Sequence, residues 1–490
     1  MLIEADRPRV SVPAATMALA RVETRHLLRG AFFWGGLILS VALGVVWSWT
    51  RMPSWDTFSQ NAGMSSLVLA TSLLIGAHLA TGRDHRAGAD ETTRTMPAGR
   101  RRRGVAMLVV VPVAAVSGVV LYLIELLLLM PTWPVGRFDP WAAAVVVVIP
   151  AIGAVVGVLA GRLMPAVAAG PLSAVAFTVL LIGLRVLPSS PGGYGEAVWL
   201  VPNQPWEVGA SRPTGWHLLY LLGVLVAITA VAAWRAWPKI SAAVLIAAVA
   251  SAGLAVDRQS SASVIEIHYP EDTEPLTGVA VLSCQADREV RYCALPHHEG
   301  WIGLWREAVE PVIAHLPPGA VRPAVRQVGN SHNLQPMTPG MPEIITAASW
   351  GRIGAWADDS RGRMTRDYVV AAIGVRRQAL FYDSCEGAGQ HRTVAALWLL
   401  AQATPGDVAR LRSGELRLPR VNYGDAELRA AVALLDRPYA EVAGHLSAHW
   451  AELLDPSSTA LAGIGVTLTP PPVPATPEPE EPGAGGGICR

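Results

Sequence analysis

Long apolar runs separated by short polar segments fill the first half of the chain. A helix needs about 20 mostly apolar residues to cross the hydrocarbon core of a bilayer. The pattern predicts six to seven membrane spans, of which the seventh is short and rich in alanine. The runs cover residues 31–49, 63–82, 104–130, 141–161, 165–187, 216–234 and 240–256.

The second half has the shorter periods of a water-soluble domain. Residues 263–269, 278–283 and 289–294 alternate in the manner of strands. Apolar residues at helical spacing predict amphipathic helices, which cover 301–316, 390–403, 425–436 and 439–454. The expected fold is therefore an α-helical membrane bundle followed by an α+β soluble domain.

Four segments follow from this pattern. Residues 1–30 form an N-terminal segment with an amphipathic helix, and residues 31–256 form the membrane domain. Residues 257–466 form the soluble domain. Residues 467–490 are rich in proline and glycine, a composition that cannot build a core and is typical of a disordered tail.

Composition agrees with a membrane protein and excludes one chemistry. Charged residues make up 16% of the chain and hydrophobic residues 51%, with a mean hydropathy of +0.35. Soluble proteins carry about 25% charged residues. The sole lysine, Lys239, lies in no G-x-x-x-x-G-K-[ST] pattern, so the chain does not bind ATP through a P-loop.

Arginine placement predicts the orientation, because Lys and Arg near span ends stay in the cytoplasm. One set of connecting segments is rich in these residues: Arg7, Arg9, Arg21, Arg25, Arg29, Arg83, Arg86, Arg94, Arg100, Arg101, Arg102, Arg103, Arg162, Arg235 and Lys239. The opposite segments have one each, Arg51, Arg137 and Arg212. We expect a plasma-membrane protein with a cytoplasmic N-terminus and, with seven spans, an extracellular soluble domain. That domain would be cytoplasmic if the seventh span does not insert.

Two ionisable residues lie inside predicted spans at comparable depth, Glu125 in the third and Arg185 in the fifth. A charge in the membrane is costly and needs a partner. We predict that Glu125 and Arg185 pair. A bridge that packs two helices is the favoured interpretation, and a place in a substrate path is the alternative.

The positions of the four cysteines indicate which of them could form a disulfide. Cys284 and Cys293 flank a polar turn and are candidates for a disulfide, which would persist outside the cell. Two unpaired strand cysteines are the alternative. Cys385 and Cys489 are less favoured partners, because Cys489 lies in the proline- and glycine-rich tail.

No pattern of catalytic residues appears in the soluble domain. A zinc peptidase needs H-E-x-x-H, which is missing, and the i, i+4 pair His445 and His449 has no evident third ligand. Cys385 is followed by His391, but its acidic neighbours would raise a thiol pKa. We expect no enzyme activity, no catalytic residue, no metal, no cofactor and no nucleic-acid partner.

The segment after the second span, residues 82–103, has more sequence pattern than the positive charge that keeps a loop in the cytoplasm. Together with residues 21–29, which contain an E-x-R-like pattern, it resembles type-2 ABC transporter permeases and permease-like proteins of actinobacteria. That family has a loop of the form R-x-x-G-T-x-E-L-L-x-x-x-P. Arg86 is followed at close spacing by Gly88, Glu91 and Pro97, which fall at the glycine, glutamate and proline positions, whereas Ala89, Thr92 and Thr93 depart from the form. The predicted ATPase-coupling residues are Arg86, Gly88, Glu91, Arg94 and Pro97.

The resemblance implies a transmembrane subunit of an exporter. By that resemblance the loop docks on a separate ABC ATPase, and the substrate crosses between two permease copies in a homodimer or a heterodimer. The soluble domain would bind the exported molecule or a wall component. The alternative is a membrane-anchored binding or sensing protein that retains a degenerate permease scaffold.

Overall fold

The computed structural model divides the chain into two compact units, Met1–Ile265 and Glu266–Arg490. This division lies close to the boundary expected after residue 256. The structure describes residues 12–89, 104–129, 132–186, 198–202, 213–260, 283–294, 298–328, 343–347, 350–374, 384–469 and 489. The first predicted strand, at 263–269, falls outside these ranges.

The described part of the first unit consists of helices joined by short non-helical segments. Its helices are α1 (Val12–Arg29), α2 (Ala31–Trp49), α3 (Trp55–Thr81), α4 (Arg83–Arg86), α5 (Val110–Leu129), α6 (Pro140–Leu163), α7 (Ala169–Val186), α8 (Thr214–Ala233) and α9 (Pro238–Ser260). Among the described residues, six helices are long and apolar enough to cross a membrane. They are Ala31–Trp49, Trp55–Thr81, Gly104–Leu129, Pro140–Leu163, Thr214–Ala233 and Pro238–Gln259. The predicted fifth span corresponds to the shorter helix α7.

Glycines bring α3 and α6 into backbone contact. A Cβ atom on Gly153 would lie 2.2 Å from the Ala70 carbonyl oxygen, and one on Gly157 would lie 2.2 Å from that of Leu74. Gly161 repeats the pattern one turn later against His78. Small residues spaced four apart on one helix allow the backbone of a neighbouring helix to approach closely. These two parallel helices form the centre of the unit.

Helix α7 runs beside α3 and α6 in the opposite direction to α3. Gly170, near its start, lies against the His78 ring at the end of α3 that faces α1. Further along, Leu181 packs in the same hydrophobic cluster as Val145, near the start of α6. Its 18 residues correspond to a length of about 27 Å. Helix α7 therefore follows most of the length that its two neighbours share.

The other end of the bundle is held by capping and aromatic contacts. Asp139 caps α6 by accepting a bond from the Trp141 amide at 2.8 Å, and it accepts another from the Thr214 hydroxyl at 2.5 Å. The Trp55 ring meets the rings of Trp133 and Phe138 edge-on, with centroids 5.5 Å and 4.9 Å away. Amphipathic aromatic rings are enriched at membrane–water interfaces.

The second unit combines helices with two small sheets. The strands are β1 (Ser283–Asp287), β2 (Val290–Ala294), β3 (Ala324–Val328), β4 (Glu343–Ala347), β5 (Cys385–Glu386) and β6 (Val421–Asn422). The helices are α10 (Ile302–Ile313), α11 (Gly354–Ala372), α12 (His391–Ala403), α13 (Pro405–Arg412), α14 (Asp425–Leu435) and α15 (Tyr439–Leu453). Strands β1 to β4 form one sheet in that order, antiparallel between β1 and β2 and parallel beyond, and β5 pairs with β6 in parallel.

Large aromatic side chains fill the interior of the second unit. Trp301 and Trp305 are fully buried around α10, and Tyr368 of α11 is fully buried as well. Helix α12 is buried on every side, because its residues 391–401 are all buried. A helix that is buried all round is typical of the centre of a domain.

Two disulfides close the second unit, and the sequence analysis favoured only one of them. Cys284 and Cys293 face each other in the β1–β2 hairpin and are bonded, with their Cα atoms 4.0 Å apart. Cys385 and Cys489 are also bonded, although the sequence analysis treated them as less favoured partners. Cys489 is buried, and its amide donates a hydrogen bond to the Glu386 carbonyl at 3.0 Å.

Element boundaries differ from the sequence analysis in two further ways. Residues 278–282 of the strand predicted at 278–283 lie outside the described residues, and the structure has a strand at Ser283–Asp287 that was not predicted. The turn of the hairpin falls at Arg288 and Glu289. Both turn residues adopt positive φ angles, 47° and 68°, as tight two-residue hairpins require. Helices α11 and α13 were not predicted.

The contact between α3 and α6 yields a prediction. We expect Gly157→Ala to destabilise the first unit by about 1–3 kcal/mol, because the new methyl overlaps a backbone oxygen that has no rotamer to change. The matched control is Gly253→Ala in α9, where nothing lies within 4 Å of the new atom. That change should be neutral or stabilising by up to about 1 kcal/mol, because alanine favours helix. Thermal unfolding midpoints in detergent compare the two, and equal midpoints would contradict the packing.

Candidate functional site

A charged cluster joins α1 to the short segment after α3. Glu23 of α1 is 1% exposed, and its Oε1 lies 3.0 Å from Nη2 of Arg83. Ala20 and Leu27 share the buried face of α1 with Glu23, while Arg21 and Arg25 are exposed on the other side. The amphipathic helix expected in residues 1–30 is therefore held against the bundle by the Glu23–Arg83 ion pair and an apolar stripe.

The same segment is tied to the turn between α6 and α7. Arg86 donates a hydrogen bond from Nη1 to the Pro165 carbonyl at 3.0 Å, and another from Nη2 to the Leu79 carbonyl. The His78 ring lies with Nε2 2.9 Å from the Met164 carbonyl oxygen. We call Glu23, His78, Arg83 and Arg86 the α1-end cluster. It connects α1, α3, α4 and the α6–α7 turn.

Helix α4 ends in a defined turn. Gly88 has a φ of 65°, a conformation that L side chains rarely adopt, and its amide bonds to the His85 carbonyl at 3.2 Å. This is a common way to end a helix. Of the predicted docking residues the structure describes Arg86 and Gly88, while Glu91, Arg94 and Pro97 lie outside the described residues.

Glu125 is buried where α2, α3 and α5 meet. It is 4% exposed, and its Oε1 lies 2.6 Å from the Ser65 hydroxyl of α3. On the α2 side, a Cβ atom on Gly44 would lie only 2.0 Å from the same oxygen. A glycine is thus required at position 44 for the carboxyl group to fit, a constraint that the sequence analysis did not identify.

The predicted pairing of Glu125 with Arg185 stays a prediction. The backbone of Arg185 belongs to α7, but its side chain lies outside the described residues. Within the part of the chain that the structure describes, no cationic side chain comes within 4.0 Å of the Glu125 carboxyl group. The partner that the structure does provide is the hydroxyl of Ser65.

In the second unit a buried arginine organises the chain around Cys489. Arg392 donates from Nε to Gln390 Oε1 at 2.7 Å and from Nη1 to the Leu454 carbonyl at 3.1 Å. It also donates from Nη2 to the carbonyl of Cys489. Burial lowers the pKa of Arg392 to about 10, an effect that the charge of Asp455 opposes. The guanidinium stays ionised at neutral pH and satisfies carbonyl groups, which is a structural role.

Three histidine rings of the second unit also contact backbone groups. His445 Nε2 lies 2.7 Å from the Ala460 carbonyl oxygen, and His449 Nδ1 lies 3.1 Å from that of His445. His391 accepts a hydrogen bond at Nδ1 from the Leu461 amide at 2.9 Å, and burial lowers its pKa. Among the described residues, no three His, Cys, Asp or Glu side chains are grouped to hold a metal ion.

These features define a helical protein whose six long apolar helices are compatible with a location in a membrane, followed by a unit of helices and small sheets. No protein-family model, no curated protein and no solved structure matches the chain.

The ion pair in the α1-end cluster yields a prediction. Arg83→Gln removes the cation that lies 3.0 Å from the buried Glu23, which should cost about 1–3 kcal/mol and loosen α1. Glu23→Gln should cost less, because Arg83 is 42% exposed and water can solvate it. Hydrogen exchange of the α1 amides measures both effects, with Arg25→Gln on the exposed face as control. Equal protection in the Arg83 and Arg25 variants would contradict the assignment.

Proposed function

We propose that this chain is the membrane-spanning subunit of an ABC-type exporter, energised by a separate ATPase, with a soluble domain that binds the exported molecule outside the membrane. The observation that carries the proposal is the α1-end cluster. A subunit driven by a separate ATPase needs a short structured segment that transmits movement to rigid helices. Residues 82–89 have this property, because they are bonded both to α1 and to the α6–α7 turn.

Charge favours the α1 end as the cytoplasmic face. Arg21, Arg25 and Arg29 are exposed on α1, and the cluster adds Arg83 and Arg86. Cationic residues at span ends stay in the cytoplasm. The four consecutive arginines Arg100–Arg103 belong to the same connecting segment as Arg83 and Arg86, between the second and third spans. An ATPase that works in the cytoplasm would meet the chain at this end.

The soluble domain is proposed to lie on the opposite side of the membrane. Helix α7 follows most of the length of α3 and α6, which supports counting it as a seventh crossing. An odd number of crossings separates the two ends of the chain. The disulfides Cys284–Cys293 and Cys385–Cys489 support this independently, because such bonds persist in oxidising compartments outside the cytoplasm.

Two copies, or this chain and a second permease, are proposed to form the path. Gly153 and Gly157 bring α3 and α6 together at backbone distance, which leaves no space for a substrate between them. Large apolar side chains are exposed along α2 and α5, among them Ile38, Val46, Val116 and Leu127. These faces suit contact with lipid or with another membrane subunit.

The proposal is tested by identifying the proteins that co-purify with the chain. We expect a stoichiometric P-loop ATPase to co-purify from native membranes in mild detergent. Glu91→Arg, in the docking segment, should remove most of the ATPase because it reverses a charge at the contact. Glu415→Arg is the matched control, since it makes the same change at an exposed position of the second unit.

Two outcomes contradict the proposal at different points. Equal recovery of the ATPase with both variants would place the contact elsewhere than residues 86–97. Purification of the intact chain without any ATPase, in several detergents, would contradict the exporter assignment. The membrane-anchored binding protein would then be the function to test, with the second unit as the place to look for a ligand.

A further inference from the structure

The polar groups between α2, α3 and α5 do not belong to the α1-end cluster, and the exporter proposal does not use them. Glu125 lies there beside Ser65, with Gly44 opposite. Two further polar groups of the same helices are buried without a hydrogen-bond partner among the described residues. They are the hydroxyls of Tyr122, one turn before Glu125, and of Ser40, one turn before Gly44.

The two buried glutamates of the first unit are in contrasting surroundings. Glu23 has Arg83 at 3.0 Å and is an ion-paired carboxylate. Glu125 has no cationic side chain within 4.0 Å in the described part of the chain, and its contact is the neutral Ser65 hydroxyl. A lone carboxylate inside a bilayer is strongly disfavoured relative to the neutral acid.

The contacts of Ser65 distinguish the two protonation states. Its hydroxyl lies 2.6 Å from Glu125 Oε1 and 3.0 Å from the Ala62 carbonyl oxygen. A hydroxyl has one proton and donates one hydrogen bond at a time. If Glu125 is protonated, it donates to Ser65 and Ser65 donates to Ala62, so every contact is satisfied without a buried charge.

We propose that Glu125 is a proton-binding site within the membrane bundle, held as a neutral carboxylic acid that donates a hydrogen bond to Ser65. The proton leaves as H⁺ to water when α2 separates from α5, because Gly44 of α2 covers the carboxyl group in the structure. Proton release is thereby linked to movement between these helices. This inference requires only that the bundle lies in a membrane and does not depend on the ATPase.

The groups that face Glu125 are consistent with this assignment. From α2 the nearest residue is Gly44, from α3 it is Ser65, and on α5 itself Tyr122 lies one turn away. The titratable groups of α6 and its cap, Asp139 and Arg162, lie at opposite ends of that helix. The acidic and basic residues of α1 lie at the α1 end of the bundle.

Infrared spectroscopy of the full chain in lipid vesicles tests the proposal. We expect a carbonyl stretching band of a protonated carboxylic acid at neutral pH, sensitive to heavy water. Glu125→Gln should remove the band, whereas Glu23→Gln should leave it unchanged because Glu23 is ion-paired. Ser65→Ala should keep the band and move it to higher frequency, because the acid loses its acceptor.

A pair of glycine variants gives an independent measurement if Glu125→Gln does not fold. Gly44→Ala should shift or remove the band, since the new methyl would occupy the space of the carboxyl group. Gly35→Ala on the same helix should leave the band unchanged, because nothing lies within 4 Å of the new methyl group.

Three results would overturn the proposal. The first is the absence of any such band in the unmodified chain, and the second is a band that Glu125→Gln leaves intact. The third is a band that appears only in Arg185→Gln, which would show that Glu125 is ionised and paired with Arg185.

Discussion

Close contact between α3 and α6 is the constraint on which the first unit depends. Lipid tails are as apolar as leucine side chains, so helices in a bilayer gain little from burying apolar surface against each other. Dispersion contacts between closely approaching backbones must supply the stability instead, and Gly153, Gly157 and Gly161 make that approach possible. Because α3 and α6 are fixed in this way, α2, α5 and α7 have a rigid pair to pack against.

The rigid pair also determines where polar groups meet. At the α1 end, α3 finishes beside the α6–α7 turn, so the residues that follow α3 can bond to Pro165 and Glu23 together. Deeper in the bundle, α3 presents Ser65 to a carboxyl group on α5. A buried glutamate next to an arginine is a structural ion pair, and a buried glutamate next to a hydroxyl is suited to hold a proton.

Sequence periodicity predicted the apolar helices well, because a long apolar run has few alternatives to a span. It also predicted α10, α12, α14 and α15, whose apolar residues recur at helical spacing. Helix α11 was not predicted because its first half is charged and its buried residues are confined to its second half, from Met364 to Ala372. The Cys385–Cys489 bond joins residues far apart in the chain, and the role of Gly44 depends on another helix. Neither is visible in local sequence.

The proposed topology has an odd number of crossings, which would place the two ends of the chain on opposite sides of the membrane. A paired reporter fused after Arg490 of the full chain, and in a second fusion before Met1, tests it in a bacterial host. An alkaline phosphatase folds only outside the cytoplasm, and a fluorescent protein exported in unfolded form does not fluoresce there. The account predicts phosphatase activity at Arg490 and fluorescence at Met1. Fluorescence at both ends would mean an even number of crossings and would contradict it.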